Sequence, residues 1–132
     1  MAEFESLTVV VVDDSPAVLV HLKQLVDSID GVEMLGMAKD GVEAVLLLKS
    51  IQPDLVVMDI VMPRMDGLTA LRTIRATHPT LRVAMLSSVA GTRSRAEEAF
   101  KLGAVQVLTK PCDESKLRAL FAAEQALKTS AK

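Results

Sequence analysis

The chain has 132 residues, half of them hydrophobic, and a net charge of -2. This length suits one domain with one hydrophobic core, which we expect between about residues 7 and 128. The small charge and only three aromatic residues favour neither a nucleic-acid nor a membrane partner. The apolar runs are too short to span a bilayer, and the first six residues lack the basic residue of a signal peptide. A single cysteine cannot form a disulfide within the chain, so the sequence predicts a cytoplasmic protein.

The apolar pattern predicts strands and helices that alternate along the chain. Leu7–Val12 (LTVVVV) is a mainly β-branched run, typical of a strand buried on both faces. Ser15 and Pro16 then provide an N-cap and a first helical residue. The other predicted elements are a strand over Val32–Ala38, a helix from Asp40 to Ser50, a strand over Asp54–Met58, a helix capped by Asp66, a strand over Leu81–Leu86, a helix over Thr92–Leu102, a strand over Ala104–Leu108, and a helix from Asp113 to Lys128 with Leu127 on its apolar side.

Alternation with short connections predicts an α/β fold, a doubly wound parallel sheet with helices on both faces. In such sheets, functional side chains gather beyond the carboxyl ends of the strands. Nothing comparable is expected after the second strand, but the other four ends deliver polar groups to one rim. These groups are Asp13 and Asp14 after the first strand, Asp59 after the third, Ser87 and Ser88 after the fourth, and Lys110 after the fifth.

The composition of this rim indicates phosphoryl transfer. Three carboxylates would repel one another unless a cation neutralised them, and ligation by oxygen alone favours Mg²⁺. Lys110 adds a positive charge, and Ser87 adds a hydroxyl donor for an anion with several oxygens. Phosphoryl transfer requires such groups, because its catalysis is mostly positioning and charge neutralisation. A carboxylate in the middle can itself be the nucleophile and form an aspartyl phosphate.

Four segments resemble the receiver domain of two-component response regulators, the fold of the chemotaxis response regulator. The segments are VVVVDDS, VVMDIVMPRMDG, VAMLSS and GAVQVLTKP, in that order along the chain. The resemblance extends from Leu7 to the last helix. It implies a flavodoxin-like fold of five βα units with strand order 2-1-3-4-5.

The resemblance also assigns roles to residues at the rim. It implies that Asp59 accepts a phosphoryl group from the phosphohistidine of a sensor histidine kinase. Asp14, Asp59 and the backbone carbonyl of Val61 would ligate Mg²⁺ directly, and Asp13 would act partly through water. The chain would then be a switch that catalyses only its own phosphorylation and dephosphorylation, as a monomer or a phosphorylation-dependent dimer.

The resemblance further implies that Ser87 and Lys110 bind phosphoryl oxygens.

Three positions depart from the commonest family pattern without removing a reacting group. Val107 stands where Tyr or Phe is usual, Cys112 stands where Phe is common, and Ser88 stands where Ala is frequent. The first departure concerns the aromatic side chain that usually turns inward when the domain is phosphorylated.

Four alternatives stay open at this point. The chain could be the receiver part of a larger regulator whose output domain it lacks, or an unphosphorylated scaffold. A phosphohydrolase with an aspartate nucleophile would carry a second aspartate at Val61 and usually a cap insertion for its substrate. A flavodoxin-like cofactor binder would need a phosphate-binding loop after the first strand, where Asp13 and Asp14 would repel a phosphate.

Overall fold

The computed structural model describes residues 6–88, 92–110 and 113–130, and within them strands and helices alternate as predicted. The strands are β1 (Leu7–Val12), β2 (Val32–Ala38), β3 (Leu55–Asp59), β4 (Arg82–Ser87) and β5 (Gln106–Thr109). The helices are α1 (Pro16–Asp27), α2 (Gly41–Leu47), α3 (Gly67–Thr77), α4 (Thr92–Lys101) and α5 (Glu114–Ser130). No helix in these described ranges has both the length and the apolar character needed to cross a membrane.

The five strands form one sheet in the order β2-β1-β3-β4-β5, and all neighbouring pairs are parallel. This confirms the doubly wound fold and the strand order. The order reverses between β1 and β3, so the helices that follow these two strands lie on opposite faces. A crevice therefore opens beyond their carboxyl ends, where ligands bind in this class of fold.

β1 is buried on both faces, as its unbroken apolar run predicts. Val10 and Val12 belong to the core cluster covered by α2, α3 and α4. Val9 and Val11 belong to the other cluster, which α1 and α5 cover. Because successive side chains of a strand point to opposite faces, a central strand between two helical layers must be apolar throughout.

The predicted N-caps are confirmed by hydrogen bonds from the first turns of their helices. Ser15 Oγ accepts from Val18 N at 3.3 Å, and Asp66 Oδ1 accepts from Thr69 N at 2.9 Å. Asp40, predicted only as the start of a helix, caps α2 in the same way through its Oδ1. α2 is shorter than predicted, because the N–H groups of Lys49 and Ser50 donate to carbonyls three residues back, at 3.1 and 3.0 Å, and tighten the chain into a turn.

Leu127, predicted on the apolar side of α5, is 48% exposed and does not belong to the buried core. The buried stripe is Leu117, Leu120, Phe121 and Glu124, a helical spacing of three and four residues. Glu124 accepts two hydrogen bonds from Arg82, at 2.5 Å from Nε and 3.1 Å from Nη2. The buried charge is tolerated because a guanidinium on β4 satisfies both carboxylate oxygens.

Candidate functional site

Two buried aspartates lie at the switch point of the sheet. Asp13 directly follows β1, and its N–H donates to the carbonyl of Ala38 at 3.1 Å. Asp59 is the last residue of β3, and the next N–H, of Ile60, donates to Leu86 at 2.9 Å. Hydrogen bonds between neighbouring strands therefore extend to both aspartates and hold their backbone in place.

Lys110 directly follows the edge strand β5, and its side chain contacts both of these carboxylates. Its backbone N–H donates to Ser87 O at 2.7 Å, which extends the β4–β5 pairing by one residue. Its Nζ lies 2.8 Å from Asp13 Oδ2 and 3.0 Å from Asp59 Oδ2. The lysine and the two aspartates predicted at this rim are therefore in direct contact.

Burial and charge set the protonation equilibria of the cluster. Burial raises the pKa of Asp59, and the nearby charge of Asp13 adds to this effect, while Lys110 opposes it. Burial alone would lower the pKa of Lys110, but hydrogen bonds to Asp13 and Asp59 reverse the balance and raise it. Lys110 therefore remains a cation at neutral pH, and its positive charge stabilises the carboxylates of Asp13 and Asp59.

The aspartates fit a divalent cation. Asp13, Asp14 and Asp59 each offer a carboxylate oxygen, and these oxygens lie within 4.8 Å of one another. Asp14 is exposed, so the cluster opens to solvent on its side. Three carboxylates against one ammonium leave negative charge in excess, and a set of oxygen ligands suits a hard ion such as Mg²⁺.

Val61 lies beside the acceptor candidate. Its N–H donates to Asp59 Oδ1 at 3.3 Å, and its side chain is 53% exposed. The predicted ligation by the Val61 carbonyl stays a prediction. An aliphatic side chain cannot donate a proton, so the general acid of an aspartate-nucleophile hydrolase is missing at this position.

Ser87 ends β4 one strand away from Asp59 and is buried. Its hydroxyl donates to the carbonyl of Ser88 at 3.1 Å, so it is directed to the backbone. Its predicted contact with a phosphoryl oxygen is therefore not preformed and stays a prediction. Cys112, singled out in the sequence, and Val89, two positions after Ser87 in the chain, lie outside the described residues.

Sequence reasoning missed a buried acid after β2. Asp40 was predicted only as the first residue of a helix, but its Oδ2 accepts from Arg64 Nε at 2.8 Å and from Arg64 Nη2. The expectation that β2 is followed by nothing comparable is therefore wrong. No local signal could identify the pair, because its members lie 24 residues apart.

Gly67 explains why the segment after Asp59 ends in Met-Asp-Gly. Its N–H donates to Ile60 O at 2.7 Å, which folds the β3–α3 loop back onto the end of the strand. A Cβ at this position would overlap the carbonyl oxygen of Asp59 and lie 2.8 Å from Ile60 Cα. The start of α3 can therefore approach the acceptor candidate only because residue 67 has no side chain.

Fold and site together are those of a response regulator receiver domain. Residues 9–122 match the family model described as the response regulator receiver domain, and the chain belongs to this family. It is similar to the receiver domains of protein-glutamate methylesterases.

A protein-glutamate methylesterase/protein-glutamine glutaminase of Chromobacterium violaceum is 40% identical over 121 residues, which are 91% of this chain and 33% of that protein. A homologue of the same name from Myxococcus xanthus is 35% identical over 84% of this chain and 32% of its own length. The chain therefore spans about a third of the length of these curated relatives.

Solved structures of receiver domains are similar to this chain as well. The response regulator domain of Thermotoga maritima CheB superimposes with a TM-score of 0.83 at 34% identity, covering 92% of this chain and 98% of that one. A chain of the CheX–CheY–BeF3–Mg²⁺ complex of Borrelia burgdorferi gives a TM-score of 0.82 at 33% identity, with 90% of each chain covered.

Proposed function

We propose that this receiver domain accepts a phosphoryl group on Asp59. The observation that carries the proposal is the pair of contacts from Lys110 Nζ to Asp13 and Asp59, with Asp14 close by. Asp59 lies between a cation and an acidic pair, at the end of a strand. It is the carboxylate best held for attack on phosphorus.

The proposed reaction forms one bond and breaks one. A carboxylate oxygen of Asp59 attacks phosphorus, and the bond from phosphorus to the donor breaks. With a phosphohistidine donor, the leaving imidazole takes up a proton. Lys110 and Ser87 would bind the oxygens of the transferred group, since catalysis of this reaction is mostly positioning and charge stabilisation.

We propose that Asp13, Asp14 and Asp59, with the backbone carbonyl of Val61, hold Mg²⁺. The bound ion would supply neutralising charge to the carboxylates and to the incoming phosphoryl group. The oxygen-only donor set supports this proposal, and so does the relative from Borrelia burgdorferi, whose complex contains BeF3 and Mg²⁺.

The test is incubation with acetyl phosphate and Mg²⁺, followed by intact-mass measurement. We expect the mass to increase by one phosphoryl group. The same treatment should leave Asp59→Asn unlabelled, whereas Asp66→Asn, which alters a helix cap in the same motif, should label as the parent does. Labelling of the Asp59→Asn variant would overturn the assignment of the acceptor.

The proposal extends to partners. We infer that a sensor histidine kinase donates the phosphoryl group, and that this domain catalyses only its own phosphorylation and dephosphorylation. The methylesterase and glutaminase activities named for the relatives would then belong to the part of those proteins that this chain does not match. The cytoplasmic location stays a prediction.

A second proposal is that this domain controls an output module in a longer regulator. It is supported by the fraction of the relatives that is matched, about a third. An antibody raised against this domain tests it on lysate of the source cells. A band well above 14.2 kDa is expected, and a single band at 14.2 kDa would contradict the proposal.

A further inference from the structure

The loop between Asp59 and α3 contains a strained turn. In the described segments, Arg64 is the one residue other than glycine with a positive φ, at 65°. The N–H of Met65 donates to Pro63 O at 2.7 Å, so Arg64 is the central residue of a γ-turn. A γ-turn with positive φ is rare and strained for a residue with a Cβ, and it persists only where surrounding contacts hold it.

Two contacts with the start of α2 hold this turn. Arg64 donates through Nε, at 2.8 Å, and through Nη2 to the same carboxylate oxygen of Asp40. Beside it, the N–H of Gly41 donates to Met65 O at 3.2 Å. A Cβ on Gly41 would lie 2.6 Å from that carbonyl oxygen, so the close approach depends on glycine.

Asp40 is itself firmly placed. Its side chain is buried, and its second oxygen accepts from Glu43 N at 2.9 Å as the cap of α2. Its backbone follows β2, which pairs with β1 beside Asp13. The strained turn is therefore attached to the rigid sheet through a buried carboxylate.

The same loop carries the groups next to the acceptor. Three residues before Arg64, the N–H of Val61 donates to Asp59 Oδ1 at 3.3 Å. The Val61 carbonyl is the proposed backbone ligand for Mg²⁺. The loop conformation thus sets both the orientation of the Asp59 carboxylate and the position of a metal ligand.

We propose that Arg64 is a positioning residue, which through its ion pair with Asp40 holds the β3–α3 loop in the conformation that binds Mg²⁺. This inference rests on the proposed function of the aspartate cluster. The pair acts at a distance from the ion, as outer partners of metal ligands do. The chemical class of ligand is a hard divalent cation.

The test is Mg²⁺ affinity, measured by isothermal titration calorimetry on the full chain at fixed ionic strength. Arg64→Ala should bind Mg²⁺ about tenfold more weakly, the loss typical when a group that orients a ligand is removed. Electrostatics alone predicts the opposite sign, because deleting a positive charge near a cation site strengthens binding. A weakened affinity therefore reports loop positioning.

Two further variants sharpen the result. Arg64→Gly removes the ion pair but adopts positive φ without strain, so its affinity should lie between those of the parent and Arg64→Ala. If Arg64→Ala does not fold, Arg64→Gly takes its place in the test, and it should still bind Mg²⁺ more weakly than the parent. Asp40→Asn retains a good N-cap, and combined with Arg64→Ala it should weaken binding no more than Arg64→Ala does alone.

The control is Arg72→Ala, which removes an exposed arginine paired with Glu98 at 3.4 Å and should leave Mg²⁺ affinity unchanged. Unchanged or tighter binding by Arg64→Ala, while the parent binds Mg²⁺, would overturn this inference and leave the proposed function intact. A parent that binds no Mg²⁺ would overturn both. A drop in unfolding temperature without a change in affinity would assign the pair to stability alone and would also overturn the inference.

Discussion

Lys110 and Asp59 are 51 residues apart in the chain, and their side chains meet at 3.0 Å across the carboxyl ends of β5 and β3. The strand between them, β4, ends in Ser87, whose carbonyl accepts the Lys110 backbone N–H. The lysine is thus fixed at its backbone by one strand and at its tip by another. Its charge is in place before any phosphoryl group arrives, and preorganised charge is the most effective kind in catalysis.

Replacing Lys110 with alanine should slow phosphorylation without preventing metal binding. We expect the rate of labelling by acetyl phosphate to fall by about 10²-fold, as when one preorganised donor is removed from a site of developing charge. Mg²⁺ affinity should be equal or higher, because the carboxylates remain and a positive charge beside them is removed. Intact-mass time courses give the rate, and Lys116→Ala, an exposed lysine on α5, is the control. Labelling at the parental rate would contradict a role for Lys110.

The two neighbouring aspartates should behave differently when each is replaced by alanine. Asp14 is exposed, so Asp14→Ala should lose Mg²⁺ binding yet unfold at an equal or higher temperature, since repulsion among the carboxylates is relieved. Asp13 is buried and accepts from Ser15 N at 3.0 Å as well as from Lys110. Asp13→Ala should therefore lose about 1–3 kcal/mol of stability.

Thermal unfolding without metal, followed by circular dichroism, measures both effects, and calorimetric titration checks the metal. A clear fall in the unfolding temperature of the Asp14→Ala variant would mean that this carboxylate is structural. Equal stability of the two variants would contradict the distinction drawn from burial.

Asp54 offers a test of stability against pH, away from the site. It accepts from Thr8 N at 2.8 Å, from Thr8 Oγ1 at 2.9 Å and from Lys128 Nζ at 2.7 Å. Burial would raise the pKa of Asp54, but these bonds outweigh it and lower the pKa. A lowered pKa in the folded state means stabilisation that is complete above the unfolded value and lost as pH falls through the folded one.

Asp54→Asn should therefore cost about 1–3 kcal/mol at neutral pH, and the difference from the parent should shrink below about pH 4. Urea unfolding at several pH values measures it. The control is Asp27→Asn, which breaks the exposed Lys23–Asp27 pair and should change stability by no more than about 0.5 kcal/mol. A difference from the parent that grows as the pH falls would show that the sign is wrong.

The phosphorylated state should be long-lived, because the residue two positions after the acceptor cannot orient water. Val61 is exposed beside Asp59 and has no hydrogen-bonding side chain. Val61→Asn combined with Val89→Glu should speed dephosphorylation, and each 1.4 kcal/mol of restored orientation is worth about tenfold in rate. Val89 lies outside the described residues, and its part in this prediction follows from the family resemblance.

Loss of the phosphoryl mass over time, after removal of the donor, measures this lifetime. The control is Val20→Asn, which alters a comparably exposed valine on α1, 57% exposed against 53% for Val61. If the double variant loses its phosphoryl group no faster than the parent, another feature sets the lifetime.

The sequence by itself determined the order of elements and the rim of the sheet. β1 could be predicted because a strand covered on both faces must be apolar throughout, and Ser15 and Asp66 could be predicted as caps because capping is local. The site aspartates and Lys110 could be grouped because the carboxyl ends of parallel strands share one edge. Each of these inferences depends on residues close together in the chain, or on a rule of sheet topology.

Only the tertiary structure decided which charges pair. Nothing in the sequence connects Asp40 with Arg64, or Arg82 with buried Glu124, because each pair lies on elements distant in the chain. The buried stripe of α5 includes Glu124, which the apolar pattern did not select, since a glutamate looks solvent-facing until its guanidinium partner is known. The energy of a charged group depends on its burial and on its partners in space, and both exist only once the sheet and its helices have packed.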